Sequence, residues 1–229
     1  MKFYKWIKPE GHQGLVYQEG LNTDIIPFNP NGDCKPGGIY FSRGAILAFI
    51  HYGEDLYEVE PVGEVYENPN NPKKWKAHTV NLKYIGKASD IKVIKLLVDE
   101  GADIHIKHER LLRWATLHGH TEIVAFALDH NPDIHACNDY PLLGALIGGH
   151  KKIAQMLLDK GADIHACETD VLRYAIEDDD VDMIKFMLNA GAVPNHCLLE
   201  RARYSKTEIK ELIRNALEKN SGSSNSTSE

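Results

Sequence analysis

The hydrophobic positions in the second half of the chain recur every 30 residues. Leucines share one phase of this period and alanines share another, at Leu112, Leu142 and Leu172 and at Ala115, Ala145 and Ala175. The segment Ala102-Asp103-Ile104-His105 returns in close form at 132–135 and 162–165, and in a weaker form at 192–195. Self-similarity at one fixed period of this length is typical of an array of stacked supersecondary units.

Each unit of this pattern predicts two short helices and a turn. In the copy that is easiest to follow, Pro141 opens a first helix, Gly148-Gly149 ends it, and apolar positions predict a second helix over 150–159. Helices this short are unstable alone in water, so several units must fold together. The first copy, 88–107, has a second helix but almost no first one, and the last copy turns charged on its exposed positions. We therefore expect residues 87–219 to form about four repeats plus a C-terminal cap.

Residues 1–86 lack the 30-residue period and predict a different structure. Short segments of strand character are separated by turn residues, and they lie at 3–7, 15–17, 38–42, 56–66 and 75–84. One helix is predicted over 43–52. The expected fold class is α+β: a small mixed α/β N-terminal domain, then an all-α array. Residues 220–229 are rich in serine and have little to bury, so we expect a disordered tail.

Charge and hydropathy exclude several classes of function. The 26 basic and 33 acidic residues sum to a net charge of −7, whereas proteins that grip phosphate backbones are usually positive, so no nucleic-acid partner is expected. No apolar stretch approaches the ~18 residues needed to span a bilayer, and none follows the basic N-terminus as a signal peptide requires. We expect a cytoplasmic monomer that makes no membrane contact.

The residues carry no recognisable catalytic or metal-binding motif. There is no Gly-x-Ser-x-Gly elbow and no phosphate-binding loop, so no catalytic residue and no cofactor are predicted. His105, His135 and His165 recur once per repeat, which sets neighbours about 8–10 Å apart, too far to share one zinc ion. The same spacing argues against a disulfide between Cys137 and Cys167. We expect these histidines to bond backbone groups of the adjacent repeat, and His120 and His150 to bond backbone groups of the next turn in the same way.

The repeats resemble the ankyrin repeat. Gly119-His120-Thr121-Glu122-Ile123-Val124 and Leu157-Leu158-Asp159-Lys160-Gly161-Ala162-Asp163 follow that family's pattern closely. The family's usual period is ~33 residues, and the deficit falls at 133–145, so we expect shortened hairpin tips. The 30-residue period with its Asp-Ile-His closes resembles the ankyrin proteins of giant DNA viruses of amoebae. If the chain is viral, the expected location is the host cytoplasm.

The resemblance implies protein–protein interaction through the hairpin tips and the exposed side of the first helices. Carried onto this sequence, the predicted partner-binding positions are His108, Glu109, Arg110, Leu117, His118, Asn138, Asp139, Tyr140, Ile147, Glu168, Thr169, Asp170, Glu177 and Asp178. For Leu117 and Ile147 two interpretations stay open. Exposed, they form a contact strip; otherwise they pack under the shortened tips.

A second, local resemblance concerns the N-terminal domain. Residues 37–42 and 58–66 are similar to the middle of the ADP-ribosyltransferase fold, which would place Tyr40 against a nicotinamide ring. That activity also needs a histidine on the first strand and a glutamate near the last, and neither position is matched. We therefore predict a non-enzymatic adaptor that binds a protein partner. The alternative is a divergent ADP-ribosyltransferase-like domain that the array brings to its target.

Overall fold

A computed structural model of the chain describes residues 2–11, 15–29, 37–44, 46–68, 73–166 and 168–223. The chain divides into two compact units. The first comprises residues 1–114 and 125–132, and the second comprises residues 115–124 and 133–229. The first helical repeat therefore belongs to the same compact unit as the N-terminal sheet, whereas the sequence places a domain boundary at residues 86 and 87.

The first unit contains an antiparallel sheet. Its strands are β1 (Phe3–Ile7), β2 (Gly20–Thr23), β3 (Ile39–Phe41), β4 (Asp55–Asn68) and β5 (Lys74–Lys87). They pair in the order β1-β4-β5-β2, and β3 also pairs with β5. Two backbone hydrogen bonds of 2.7 and 2.8 Å link Tyr4 of β1 to Ser42, directly after β3. The hydrogen-bonded path β1-β4-β5-β3 therefore returns to the strand where it starts.

One apolar cluster fills the inside of this sheet. Strand residues of β3, β4 and β5 are nearly inaccessible, among them Phe41, Val59 and Val80, and Phe3 and Trp75 pack against them. Both aromatic rings meet edge to face, with 5.2 Å between their centroids. Aromatic and β-branched side chains favour such a pleated, half-buried surface.

The structure differs from the sequence prediction in two elements of this domain. Residues 15–17 contribute only an isolated bridge at Leu15, while the strand lies at β2, whose sequence Gly-Leu-Asn-Thr has no alternating pattern. Pairing with residues 79–82 of β5 creates β2. The helix predicted over 43–52 is a 3-10 helix, Ile46–Tyr52, with Ile46, Leu47, Ala48 and Ile50 buried.

Helices make up the rest of the described chain. They are α1 (Ile91–Asp99), α2 (Ile106–Leu117), α3 (Thr121–Leu128), α4 (Ala136–Ile147), α5 (Lys151–Asp159), α6 (Glu168–Glu177), α7 (Val181–Asn189), α8 (His196–Arg201) and α9 (Thr207–Ser223). Short 3-10 helices lie at Ile164–Ala166 and Ala202–Tyr204. A sheet followed by helices confirms the predicted α+β class.

Local sequence explains where these helices begin and which side they bury. Asp90, Asp180 and Asn195 cap α1, α7 and α8, because each side chain accepts a hydrogen bond from a first-turn amide. In the second unit α4 packs on α5 and α6 packs on α7. Ala145, fully buried on α4, lets its neighbours approach closely.

The C-terminal helix is longer than the sequence predicts. Helix α9 continues to Ser223, into the segment expected to be disordered. Residues 224–229 lie outside the described part of the chain. No helix among the described residues is both long and apolar enough to cross a membrane.

Candidate functional site

Three repeats close on a turn built around an aspartate and a histidine two residues later. The aspartate Oδ1 accepts a hydrogen bond from the histidine backbone N–H at 3.0, 3.0 and 2.9 Å in the three copies, Asp103–His105, Asp133–His135 and Asp163–His165. Aspartate commonly stabilises a turn by bonding the backbone two residues on. This bond explains why the Asp-Ile-His segment recurs.

The shortened tips contain three consecutive residues in the left-handed conformation. Residues 107–109 and 137–139 have φ between 53° and 62°, and none of them is glycine. Only glycine, and to a lesser extent asparagine and aspartate, adopts this conformation at little cost. The tips are therefore strained loops that the surrounding contacts hold in place.

Two of the predicted partner-binding residues are buried within these tips. Glu109 and Asp139 are each only 6% exposed. Their carboxylates lie 3.0 and 2.9 Å from Nδ1 of His105 and His135, four residues earlier in the same repeat. Because burial and these contacts hold both carboxylates within the turn, we assign them to the architecture and not to a contact surface.

Two of the hydrogen bonds between successive repeats of the second unit involve Asp139 and His150. The backbone N–H of Asp163 donates to Oδ1 of Asp139 at 3.1 Å, and Nε2 of His150 lies 3.2 Å from the carbonyl oxygen of Leu117. His150 thus bonds a backbone group, as predicted, and this group belongs to the preceding repeat. The prediction is wrong for His105 and His135, because their rings bond a carboxylate four residues later in their own repeat.

The other tip positions differ in accessibility. His108 and Asn138 are exposed, while Arg110 and Tyr140 are partly buried. Glu168, Thr169 and Asp170 form the first turn of α6, and only their backbone is described.

Ile147 and Leu117, the two aliphatic residues with open interpretations, behave differently. Ile147 at the end of α4 is 49% exposed. Leu117, in contrast, is partly buried, and its neighbour His118 is exposed. In the second unit the contact-strip interpretation therefore suits Ile147 better.

The acidic positions on the next first helix are exposed, and Glu177 is paired. Its carboxylate bonds the guanidinium of Arg201 and lies 3.6 Å from that of Arg173. Asp178 is exposed beside it. Glu177 therefore belongs to a group of ion pairs that links the neighbouring first helices α6 and α8.

Two exposed tyrosines were missed by the sequence reasoning. Tyr174 on α6 is 43% exposed and Tyr204, just after α8, is 92% exposed. The guanidinium of Arg173 lies 4.3 Å from the centre of the Tyr174 ring. The signal was available, because positions 114, 144, 174 and 204 share one phase and hold Trp, Gly, Tyr and Tyr.

A histidine cluster in the second unit lies close to the turn glycines. Burial is the main cause that lowers the pKa of His120, and the nearby His118 and His150 lower it further. A Cβ added at Gly119 would lie 2.5 Å from the His150 ring, so this position requires glycine. Among the described residues no group of three or more potential ligands could hold a metal ion.

Tyr40 in the N-terminal domain lies among lysines. It pairs across the strands with Lys76, whose Nζ is 5.3 Å from the centre of the tyrosine ring, and Lys74 Nζ is 5.1 Å from it. Burial, followed by the charge of Lys74, lowers the pKa of the Lys76 amine. The tyrosine ring thus packs against cationic side chains of β5.

Comparison with known proteins gives consistent matches over the repeats. A sequence model of the family described as "Ankyrin repeats" matches residues 82–167 in three copies. A protein of Acanthamoeba polyphaga mimivirus named for its ankyrin repeats is 34% identical over 122 residues, which cover 49% of this chain and 40% of that protein.

Two further relatives come from the same virus. An uncharacterized protein is 32% identical over 125 residues, which cover 50% of this chain and 88% of the relative. Another protein named for ankyrin repeats is 31% identical over 130 residues, which cover 51% of this chain and 61% of the relative. The chain thus spans less than two thirds of both relatives that are named for their repeats.

Proposed function

Since the chain belongs to the ankyrin-repeat family, we propose that it is a non-enzymatic adaptor that binds a partner protein through the exposed side of its first helices. Ankyrin repeats are modules for protein–protein interaction, and this much applies to the chain as a member. The proposal adds which residues make the contact.

The contrast between first and second helices in the second unit carries this proposal. Ile147, Tyr174 and Tyr204 belong to the first-helix layer and are 49%, 43% and 92% exposed; we call these three residues the aromatic face. The second helices instead expose polar positions such as Lys152 and Asp182. Exposed aromatic residues concentrate binding energy at protein interfaces, whereas scattered surface charges contribute little.

The residues of the aromatic face lie on elements that pack against one another. Helix α4 contacts α6, and α6 contacts α8, so the three residues lie on neighbouring elements. Ser205 donates a hydrogen bond of 3.2 Å to the carbonyl oxygen of Ile176, which ties the segment after Tyr204 to α6. A pre-ordered surface loses little conformational entropy when a partner binds.

The tips contribute fewer contacts than the family resemblance implies. From the predicted set we retain the exposed His108, His118, Asn138 and Asp178 as candidates, and we leave out the buried Glu109 and Asp139. Since three relatives are proteins of an amoebal virus, we propose that the chain acts in the cytoplasm of an amoebal host, on a host or viral protein.

A capture experiment tests the adaptor function. Immobilised full-length chain is incubated with lysate of Acanthamoeba cells, and retained proteins are identified by mass spectrometry. The double variant Tyr174→Ala, Tyr204→Ala should lose a specific partner, because it removes most of the exposed aromatic area. The control Lys152→Ala, which changes an exposed second-helix residue, should keep it. Equal retention by both variants would contradict the proposed surface.

The transferase alternative is tested separately. A nicotinamide ring stacked on Tyr40 must displace the lysine amines that lie 5.1 and 5.3 Å from the centre of the tyrosine ring, so we favour the adaptor. Calorimetric titration with nicotinamide adenine dinucleotide at millimolar concentration should give no saturable binding. Binding that is lost on Tyr40→Ala would instead favour the transferase.

A further inference from the structure

The first repeat lacks a first helix of its own. With a period of 30, the first helix of this repeat would occupy residues 80–87, since the later ones cover 140–147 and 170–177. Residues 80–87 form the end of strand β5 instead. The second helix, α1, nevertheless buries Val93, Ile94 and Leu97 almost completely.

The 3-10 helix Ile46–Tyr52 belongs to the sheet domain but has the burial of a core element. Ile46, Leu47 and Ile50 are at most 2% exposed. Trp6 Nε1 of β1 donates a 3.0 Å hydrogen bond to the carbonyl oxygen of Ile46, which fixes the start of this helix. Its apolar side chains are therefore buried within the first unit.

This short helix and Gly44 before it meet the first repeat at two places. Ile46 lines one small gap together with Leu97 of α1 and Ala102 of the following turn. The backbone N–H of Asp103 donates a 3.0 Å hydrogen bond to the carbonyl oxygen of Gly44.

A first helix of the second unit packs against the equivalent second helix and turn. Helix α4 packs on the second helix α5, on the turn Ile164–Ala166 and on the next first helix α6. The same backbone N–H is bonded in both turns. That of Asp163 donates to Asp139 Oδ1 at 3.1 Å, and that of Asp103 donates to the carbonyl oxygen of Gly44.

From this correspondence we infer that the 3-10 helix Ile46–Tyr52 replaces the missing first helix of the first repeat, and that the sheet domain is the N-terminal cap of this repeat. An open-ended array of repeats needs such a cap, because its terminal unit otherwise exposes the apolar side that each inner unit buries. The sheet domain meets this need with a helix inserted between β3 and β4.

The connection to the array is tight at the strand as well. The N–H of Ala88, the residue directly after β5, donates a 2.7 Å hydrogen bond to the carbonyl oxygen of Glu54. A Cβ at Gly86 would lie 2.6 Å from Cγ2 of Val93, so only glycine allows β5 to approach α1 this closely. Both contacts attach α1 to the sheet domain.

Hydrogen exchange of the full-length chain tests the cap. The variant Ile46→Ala removes a buried side chain that lines the same small gap as Leu97 of α1. Val62→Ala is the matched control, because Val62 is an aliphatic residue of the same domain that is 47% exposed. Ile46→Ala should accelerate amide exchange in α1 at least tenfold, and Val62→Ala should leave it unchanged. The amides of α5 report the second unit.

The outcomes separate the cap from an independent domain. Faster exchange in both the 3-10 helix and α1 supports the cap. Faster exchange in the 3-10 helix with unchanged exchange in α1 would overturn it, because the repeat would then not depend on the insertion. If Ile46→Ala leaves the chain unfolded, Ile46→Val removes a single methyl group and gives the same comparison.

Discussion

Replacement of Asp139 by alanine tests the bond that ties two repeats of the second unit together. The carboxylate accepts from the N–H of Asp163 at 3.1 Å and contacts His135 Nδ1 at 2.9 Å, and it is 6% exposed. Loss of a hydrogen bond to a charged, buried acceptor costs about 1.5–3 kcal/mol. The His135 pair adds less, because that ring is half exposed.

Backbone conformation increases the effect. Asp139 has φ of 54°, which aspartate tolerates better than alanine does. We therefore expect Asp139→Ala to lower the free energy of unfolding by about 3 kcal/mol. Asp139→Asn keeps an acceptor and a residue suited to the left-handed region, so its loss should be about 1 kcal/mol.

Urea unfolding followed by circular dichroism measures these changes. Cys137→Ala is the matched control: Cys137 is exposed, it has φ of 56°, and alanine keeps the same backbone demand. Its stability should stay within about 0.5 kcal/mol of the parent chain. If Asp139→Ala is no less stable than Cys137→Ala, the carboxylate does not hold the repeats together.

Three further changes test other parts of the structure. Ala145→Arg places a charge at a fully buried position and should abolish cooperative thermal unfolding, whereas Ile147→Arg, half exposed on the same helix, should not; equal melting temperatures would refute the repeat register. Cys137→Gly relieves a left-handed residue and should raise stability by about 1 kcal/mol in urea unfolding; a loss would contradict the strained tip. Burial lowers the pKa of Lys5 to about 8. Between this value and the pKa of lysine in the unfolded chain, the unfolded chain holds a proton that the folded chain does not. The free energy of unfolding therefore rises with pH in this range. Relative to Lys5→Met, the parent chain should gain about 2 kcal/mol from pH 7 to 9.5, and parallel curves would exclude this.

Much of the array could be predicted from the sequence because its order is local and repeated. The spacing of Leu142, Ala145 and Gly149 marks a helix and its end, and the following copy repeats the pattern. The local pattern also predicts the strands β1, β3, β4 and β5. Their side chains alternate between apolar and polar, or run through an apolar core.

Other features depend on contacts that the sequence does not display. Strand β2 exists because β5 supplies its hydrogen bonds. The left-handed tips follow from a connection too short for the usual hairpin, and residues such as Lys107 and Cys137 give no sign of it. The burial of Glu109 depends on the histidine four residues earlier. The two tyrosines of the aromatic face, in contrast, could have been found by aligning Trp114 with Tyr174 and Tyr204.

Site-specific photocrosslinking tests the proposed partner surface most directly. A benzophenone amino acid replaces Tyr174 in one full-length chain and Lys152 in another, and both chains are irradiated in Acanthamoeba lysate. The account predicts a discrete crosslinked partner from position 174 and none from position 152, since the first lies on the aromatic face and the second on the polar second helix. A partner crosslinked from position 152 alone would contradict it.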